Sequence, residues 1–372
     1  MNVISLFPVL LILCLPVAQN NVNLLIPEEE INVDQFLDLH SSYNRYAMEK
    51  RNNFTTLAYL TPWNKHGYTV AQIFATKFDI LAPVWFQVFG RKKNFAVAGA
   101  NQIDKAWLAD VQKGNPRVKI TPRFHFDGWD GVEFQETFTS PQLTKLCISQ
   151  IVKTIQMGKF DGAVIELWSQ FFGASEKDLV DFVVQLGQTM REHNLLTILV
   201  IPPPVYNGGI QGRFSSKHLN LLASHVDFFS LMTYDFSHPS RPGPNSPLDW
   251  VAQCVKLLVP DDTPDLVRRR SQLLTGFNFY GMHYTVGAAN AGEPILGHQF
   301  VELVNATRAN FIWDKTATEH YLRFNDNRGQ EHVVYYPTHM SIARRLSLIN
   351  ELGTGMSIWE IGQGLDSFYP LL

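Results

Sequence analysis

Seven aromatic residues, Trp63, Trp85, Trp168, Tyr234, Tyr280, Tyr284 and Trp359, close or closely follow short apolar runs, and Trp129 lies just beyond another. Rigid aromatic faces stack on the apolar faces of sugar rings and lose little conformational freedom in doing so. Carboxylates stand among them at Glu166 and Asp235, with Met232 just upstream of the last, while Asp161 faces outward by parity and holds the strand start. Positioned carboxylates can move protons or accept hydrogen bonds from sugar hydroxyls. One Trp at a strand end is usually core. Five or six at the same end of a fold point to a carbohydrate groove. No Cys/His spacing suits zinc, and nothing in the sequence calls for a metal or a cofactor.

Such a groove needs a scaffold that brings the ends of many strands together. Eight β-length apolar runs are present: Thr56–Leu60, Ile80–Phe86, Val118–Phe124, Gly162–Leu167, Leu196–Ile201, Phe228–Tyr234, Leu273–Phe279 and Gly355–Trp359. Continuous apolar character over such lengths marks strands buried on both faces. Helical stretches separate most of them: Ile103–Lys113, Pro141–Met157, Glu176–His193, Ser216–Ser224, Leu248–Leu258 and His339–Leu352. This alternation predicts an α/β fold, a TIM (β/α)8 barrel whose ligand site lies at the carboxyl ends of the strands. A doubly wound open sheet would want a Gly-rich turn after the first strand, where Thr61-Pro62-Trp63 stands instead. The stretch from Phe279 to His339 is too long for a βα loop. Runs at His320–Phe324 and His332–Tyr336 flank Asn325–Gly329 and read as a hairpin. A small α+β insertion after strand seven, about residues 282–338, is therefore expected.

The remaining composition sets bounds. The chain has 372 residues, 31 Lys+Arg against 34 Asp+Glu, and 45% hydrophobic types, enough for a large core. With no basic excess and no Lys/Arg run longer than Arg268-Arg269-Arg270, nucleic acid is not an expected partner. Residues 1–19 read as a secretory signal cut near Ala18 or Gln19, leaving no membrane span afterwards. A polar arm follows over 20–55, with a short helix expected around Gln35–Lys50, and the barrel occupies 56–372. Cys147 and Cys254 remain after the signal, either as two buried thiols or as a pair if their Cα atoms lie close. Sequons at Asn53 and Asn305 mark candidate glycosylation sites and fit a secretory route.

The segment Phe160-Asp161-Gly162-Ala163-Val164-Ile165-Glu166-Leu167-Trp168 resembles the fourth-strand signature of family 18 glycoside hydrolases, the chitinases, which reads Phe-Asp-Gly-x-Asp-x-Asp-x-Glu. Met232-Thr233-Tyr234-Asp235 resembles that family's sixth-strand Met-x-Tyr-Asp. Gly276–Gly281 is similar to its seventh strand, and Gly355-Met356-Ser357-Ile358-Trp359 to its eighth, with the Trp that floors the sugar site. Motifs such as Ala58–Asn64, Pro242-Gly243-Pro244-Asn245 and Ser357–Leu365 are similar to a chitinase-like subgroup of animals. The resemblance implies N-acetylated oligosaccharides and bacterial glycolipid as ligands, a scavenger receptor of stabilin type as partner, and a secreted or lysosomal location.

The departures from the motif carry the expected function. Strand alternation predicts Val164, Glu166 and Trp168 facing the lumen, where the family has Asp, Asp and its catalytic Glu. An indole N–H is no acid at working pH, so no catalytic residue is assigned. Glu166 is expected one place deeper, out of reach of a bond at the mouth. The expected ligand-binding set is Trp63, Trp85, Trp168, Met232, Tyr234, Asp235, Tyr280 and Trp359, with Trp168 either stacking on a sugar or plugging the pocket. The sequence thus predicts a saccharide-binding chitinase-like protein without catalysis. The alternatives are weak glycosidase activity through Glu166, or a protein-interaction scaffold with a plugged barrel. The family's Arg after strand seven is Met282 here, which removes one sugar contact.

Overall fold

The computed structural model describes residues 25–44, 48–170, 175–288 and 292–372. The expected signal lies outside the described residues.

Eight parallel strands form the barrel. Strand one, Thr56–Leu60, pairs with strand eight, Gly355–Trp359, and with strand two. Strand two is split into Ile80–Pro83 and Phe86–Phe89, and strand three into Lys119–Ile120 and Arg123–Asp127. The first pieces pair with each other, and so do the second pieces, which closes the ring across the breaks. Strands four to seven, Gly162–Glu166, Leu196–Ile201, Phe228–Leu231 and Leu273–Asn278, complete it. Both breaks lie beside proline, Pro83 and Pro122, which cannot donate to a ladder.

Alternation sorts the side chains into two cores. Leu57, Tyr59, Ile80, Ala82, Val84, Val164, Ile198, Val200 and Leu274 fill the lumen. Ala58, Leu81, Ala163, Ile165 and Leu199 face the helices. The helices start where their caps dictate: Asp104 accepts from Ala106 and Trp107 N–H before Lys105–Gly114, and Ser140-Pro141 opens Pro141–Gly158. Cys147 and Cys254 are buried free thiols. No helix among the described residues is long and apolar enough to cross a membrane.

After strand seven the chain builds a five-stranded antiparallel sheet in the order Gly292–Ile295, Gly281–Thr285, Glu331–Tyr335, Glu319–Asn325, Ile312–Asp314, with helix Gly297–Thr307 beside it. Glu319 ties this insertion to the barrel. Its carboxylate accepts from Asn245 N–H at 3.0 Å and Ser246 N–H at 2.9 Å and pairs with buried Arg345.

The arm holds a shorter helix than expected, Val33–Leu39, capped by Asn32. Phe36 packs between Phe300 and Phe311, at 5.9 and 5.0 Å between ring centres, so the arm belongs to the folded unit.

Candidate functional site

The site grows from the carboxyl ends of strands six, seven and eight. The strand-six ladder stops at Leu231, and the chain turns so that Asp235 takes a left-handed conformation, φ 59°. Asn245 fixes that turn by accepting from Asp235 N–H at 2.6 Å. The Tyr280 hydroxyl donates to the Asp235 carboxylate, and the Tyr234 and Tyr280 rings meet edge-on, 6.3 Å apart. Desolvation pushes the Asp235 carboxyl above the usual carboxylate range, and the Tyr280 hydroxyl opposes it.

Trp359 forms the floor. Its ring lies 5.2 Å from Tyr59 and packs with Met232 against the lumen cluster. It also touches the cluster of Tyr280, Met282, Tyr284 and Tyr335 that begins the insertion. Below, the Tyr59 hydroxyl donates to Ser230 at 2.8 Å. Thus Met232, Tyr234, Asp235, Tyr280 and Trp359 form one constellation joining barrel and insertion. Trp63 lies beyond strand one with 70% of its surface exposed.

Strands three and four supply the charged side. Arg123 donates to Glu166 at 2.7 Å, and its guanidinium carbon lies 5.8 Å from the centre of the Trp359 ring. His125, two residues on, bonds through Nε2 with the Gln170 side chain at 3.0 Å, while Nδ1 has no partner. Desolvation holds His125 below the ordinary imidazole value, against the opposing Glu166 charge. The sequence reading left these three out: His125 lay beyond its strand three, which ended at Phe124, Arg123 was counted within that apolar run, and Gln170 lies beyond strand four. The signal was there: Arg123, His125 and Asp127 alternate with Phe124 and Phe126, as one polar and one apolar strand face require.

Two expectations need correction. Trp168 does not face the lumen. Strand four's ladder ends with His125 opposite Glu166, and Gln170 N–H closes a turn on Leu167 O at 3.0 Å. The indole swings into the outer layer, 4% exposed, 5.0 Å from Phe214 and 5.1 Å from His218. Strand alternation cannot be extended past the last paired residue, and an apolar cluster beneath the helices takes the large ring. Consequently Trp168 neither floors nor plugs the mouth. Glu166 is the last inward residue of strand four's ladder.

Trp85 is the second correction. Ala82 and Val84 face inward, so parity turns Trp85 outward. It is fully buried, donating to the Tyr68 hydroxyl at 2.8 Å and packing on Trp107 and Phe160. Trp129 likewise joins Phe95 and Phe126 outside the lumen, and Tyr284 is buried within the insertion sheet.

Trp168→Ala is accordingly expected to cost stability without touching the mouth. Removing a packed indole costs about 3–5 kcal/mol. Chemical denaturation should show this loss, while affinity for any ligand at Trp359 stays within about twofold of wild type.

Glu360, next to Trp359, is fully buried. It accepts from Asn64 Nδ2 at 2.6 Å and from Gly362 N–H at 2.9 Å. Burial nevertheless pushes its carboxyl up to about 7, from an ordinary 4.5. Between those values the native state holds a proton that the unfolded chain has lost. The contribution is therefore fully present below about pH 4.5 and is lost as pH rises to about 7, by about 3 kcal/mol in all. Urea midpoints at pH 5 and 7.5 should show Glu360→Gln free of this component.

Among the described residues no group of three or more His, Cys, Asp or Glu side chains could hold a metal ion.

Comparison with known proteins agrees with this fold. The family model described as glycosyl hydrolases family 18 matches residues 55–364. A chitinase from Chromobacterium violaceum superposes with a TM-score of 0.71 at 20% identity, over 86% of this chain and 97% of the other. The spore cortex-lytic enzyme SleL of Bacillus megaterium gives 0.71 at 18% identity, over 87% and 74%. A mutant family 18 chitinase from Cycas revoluta in complex with (GlcNAc)4 gives 0.68 at 15% identity, over 85% and 97%. At these identities the structural likeness is one of fold. The family match spans most of the chain, from the first barrel strand to beyond the last, and the chain belongs to glycosyl hydrolase family 18.

Proposed function

We propose that this protein binds N-acetylated oligosaccharides at the barrel mouth and does not cleave them. One observation carries the reading. The sugar-holding constellation of Tyr234, Asp235, Tyr280 and Trp359 is assembled, while the residue in the family's acid position, Trp168, packs in the outer layer. A sugar ring would stack on Trp359. Tyr234 and Asp235 would hold the acetamido group, the role that the matching residues have in the family, with the Tyr280 hydroxyl bonded to Asp235.

Cleavage in this family protonates the leaving oxygen while the substrate's own acetamido carbonyl attacks the anomeric carbon. The carboxylate that strand four supplies is Glu166, and it is engaged with Arg123. That contact ties the carboxylate to strand three. Losing a positioned general acid costs about 10²–10⁴ in rate.

A second reading, slow hydrolysis through Glu166, has one observation in its favour: Glu166 is the uppermost inward residue of strand four. A chromogenic N-acetylglucosamine oligomer assayed from pH 4 to 8 separates the two. The expected result is no release above background by wild type or Glu166→Gln. Turnover in the wild type that vanishes in Glu166→Gln would establish the second reading. The plugged scaffold loses its motive, because Trp168 lies away from the mouth.

The motif set resembles chitinase domain-containing protein 1, a stabilin-interacting chitinase-like protein. On that resemblance we extend the proposal to bacterial glycolipid as a ligand, a scavenger receptor of stabilin type as partner, and a secreted or lysosomal location. Asn53 and Asn305 are both exposed, as glycan attachment requires.

A further inference from the structure

A cavity of about 680 Å³ opens between the barrel and the insertion, lined by the segments after strands five and six and by Asp314, Thr316 and Ala317 of the insertion, and by none of Tyr234, Asp235, Tyr280 or Trp359. Asp235 turns toward Tyr280, while its neighbour Phe236 packs on Trp250, 5.1 Å away, and lines this second cavity. The Trp250 indole N–H is already donated to Val205 O at 2.7 Å, so what Trp250 offers a ligand is ring surface. Tyr206 adds a third ring, and Pro244 and Pro247 add flat apolar faces.

Charge narrows the occupant. Asp249 and Asp314 line the cavity, and no lysine, arginine or histidine does so among the described residues. Asp314 is oriented by accepting from Thr316 and Ala317 N–H at 2.9 and 3.0 Å. Carboxylates beside aromatic faces favour a cation on an apolar frame. The apolar surface also runs past the cavity. Tyr206 is 40% and Ile210 65% exposed, on a turn made by Gly208 and Gly209, both at positive φ. That length suits an extended chain better than a single small molecule. Aromatic-lined grooves take extended proline-containing segments, which lose little entropy on binding.

We propose that this cleft docks an extended lysine- or arginine-bearing peptide segment of a partner protein, independently of the saccharide mouth. The test is fluorescence anisotropy of a labelled twelve-residue peptide, Pro-Leu-Pro-Lys repeated three times, titrated with the full chain. Saturable binding is expected, weakened about three- to tenfold by Asp249→Asn and by Tyr206→Ala. A saturating N-acetylglucosamine oligomer should leave it unchanged, and Asp249→Asn should keep its melting temperature. The proposal is overturned by no binding at millimolar protein, equal binding of the peptide with Glu for Lys, full affinity in both variants, or displacement by the oligomer. Displacement by millimolar glucosamine would also reject the peptide, in favour of a small amine.

Discussion

Glu319→Ala is expected to cost about 3–5 kcal/mol, the penalty for stranding a buried charge. Glu319 and Arg345 are both buried, and each is desolvated: burial pushes the carboxyl up and the guanidinium down, and each partner's charge opposes the other's shift. Removing the carboxylate leaves Arg345 with carbonyl acceptors at Ser246 and Ser341 and no counter-charge. It also strands the Asn245 and Ser246 N–H groups. A urea midpoint well below wild type is the expected result. The double variant Glu319→Gln/Arg345→Met should recover part of the loss, because no bare charge remains. The effect reaches the site, since Asn245 also holds the Asp235 turn, so saccharide affinity should fall in Glu319→Ala as well. A change under about 1 kcal/mol would mean the pair does not anchor the insertion.

Trp359→Ala is expected to have the largest effect on binding. The ring sits where lumen, Arg123 and insertion meet, and buried Trp anchors commonly contribute about 2 kcal/mol or more on truncation. That corresponds to about a thirtyfold rise in Kd. Trp359→Phe keeps a ring and should recover much of the affinity, which separates stacking from collapse of the floor. Calorimetry on both variants, with melting temperatures as control, makes the comparison.

The barrel was legible because most of its strands are apolar on both faces, which the apolar runs report directly. The insertion was legible through its length and its Asn-Asp-Asn-Arg-Gly turn. The site was half legible. Tyr234, Asp235, Tyr280 and Trp359 follow from the runs of strands six to eight, although strand six stops at Leu231, three residues before its expected end. Trp168 was misplaced because nothing local in Glu166-Leu167-Trp168 marks where pairing stops; the cluster that captures the indole comes from Phe214 and His218, some 45–50 residues on. Trp85 was a parity error, visible once Ala82 and Val84 are assigned inward. His125 was lost with the end of strand three and Arg123 was absorbed into its apolar run, where Pro122 interrupts the ladder and the polar alternation resumes beyond it.

A calorimetric titration of the full chain with N-acetylglucosamine oligomers of two to six units, with mass analysis of the cell contents afterwards, tests the central claim most directly. The account expects one-to-one binding that tightens with length, and oligomers recovered intact. Shortened oligomers, or no heat at millimolar ligand, would contradict it.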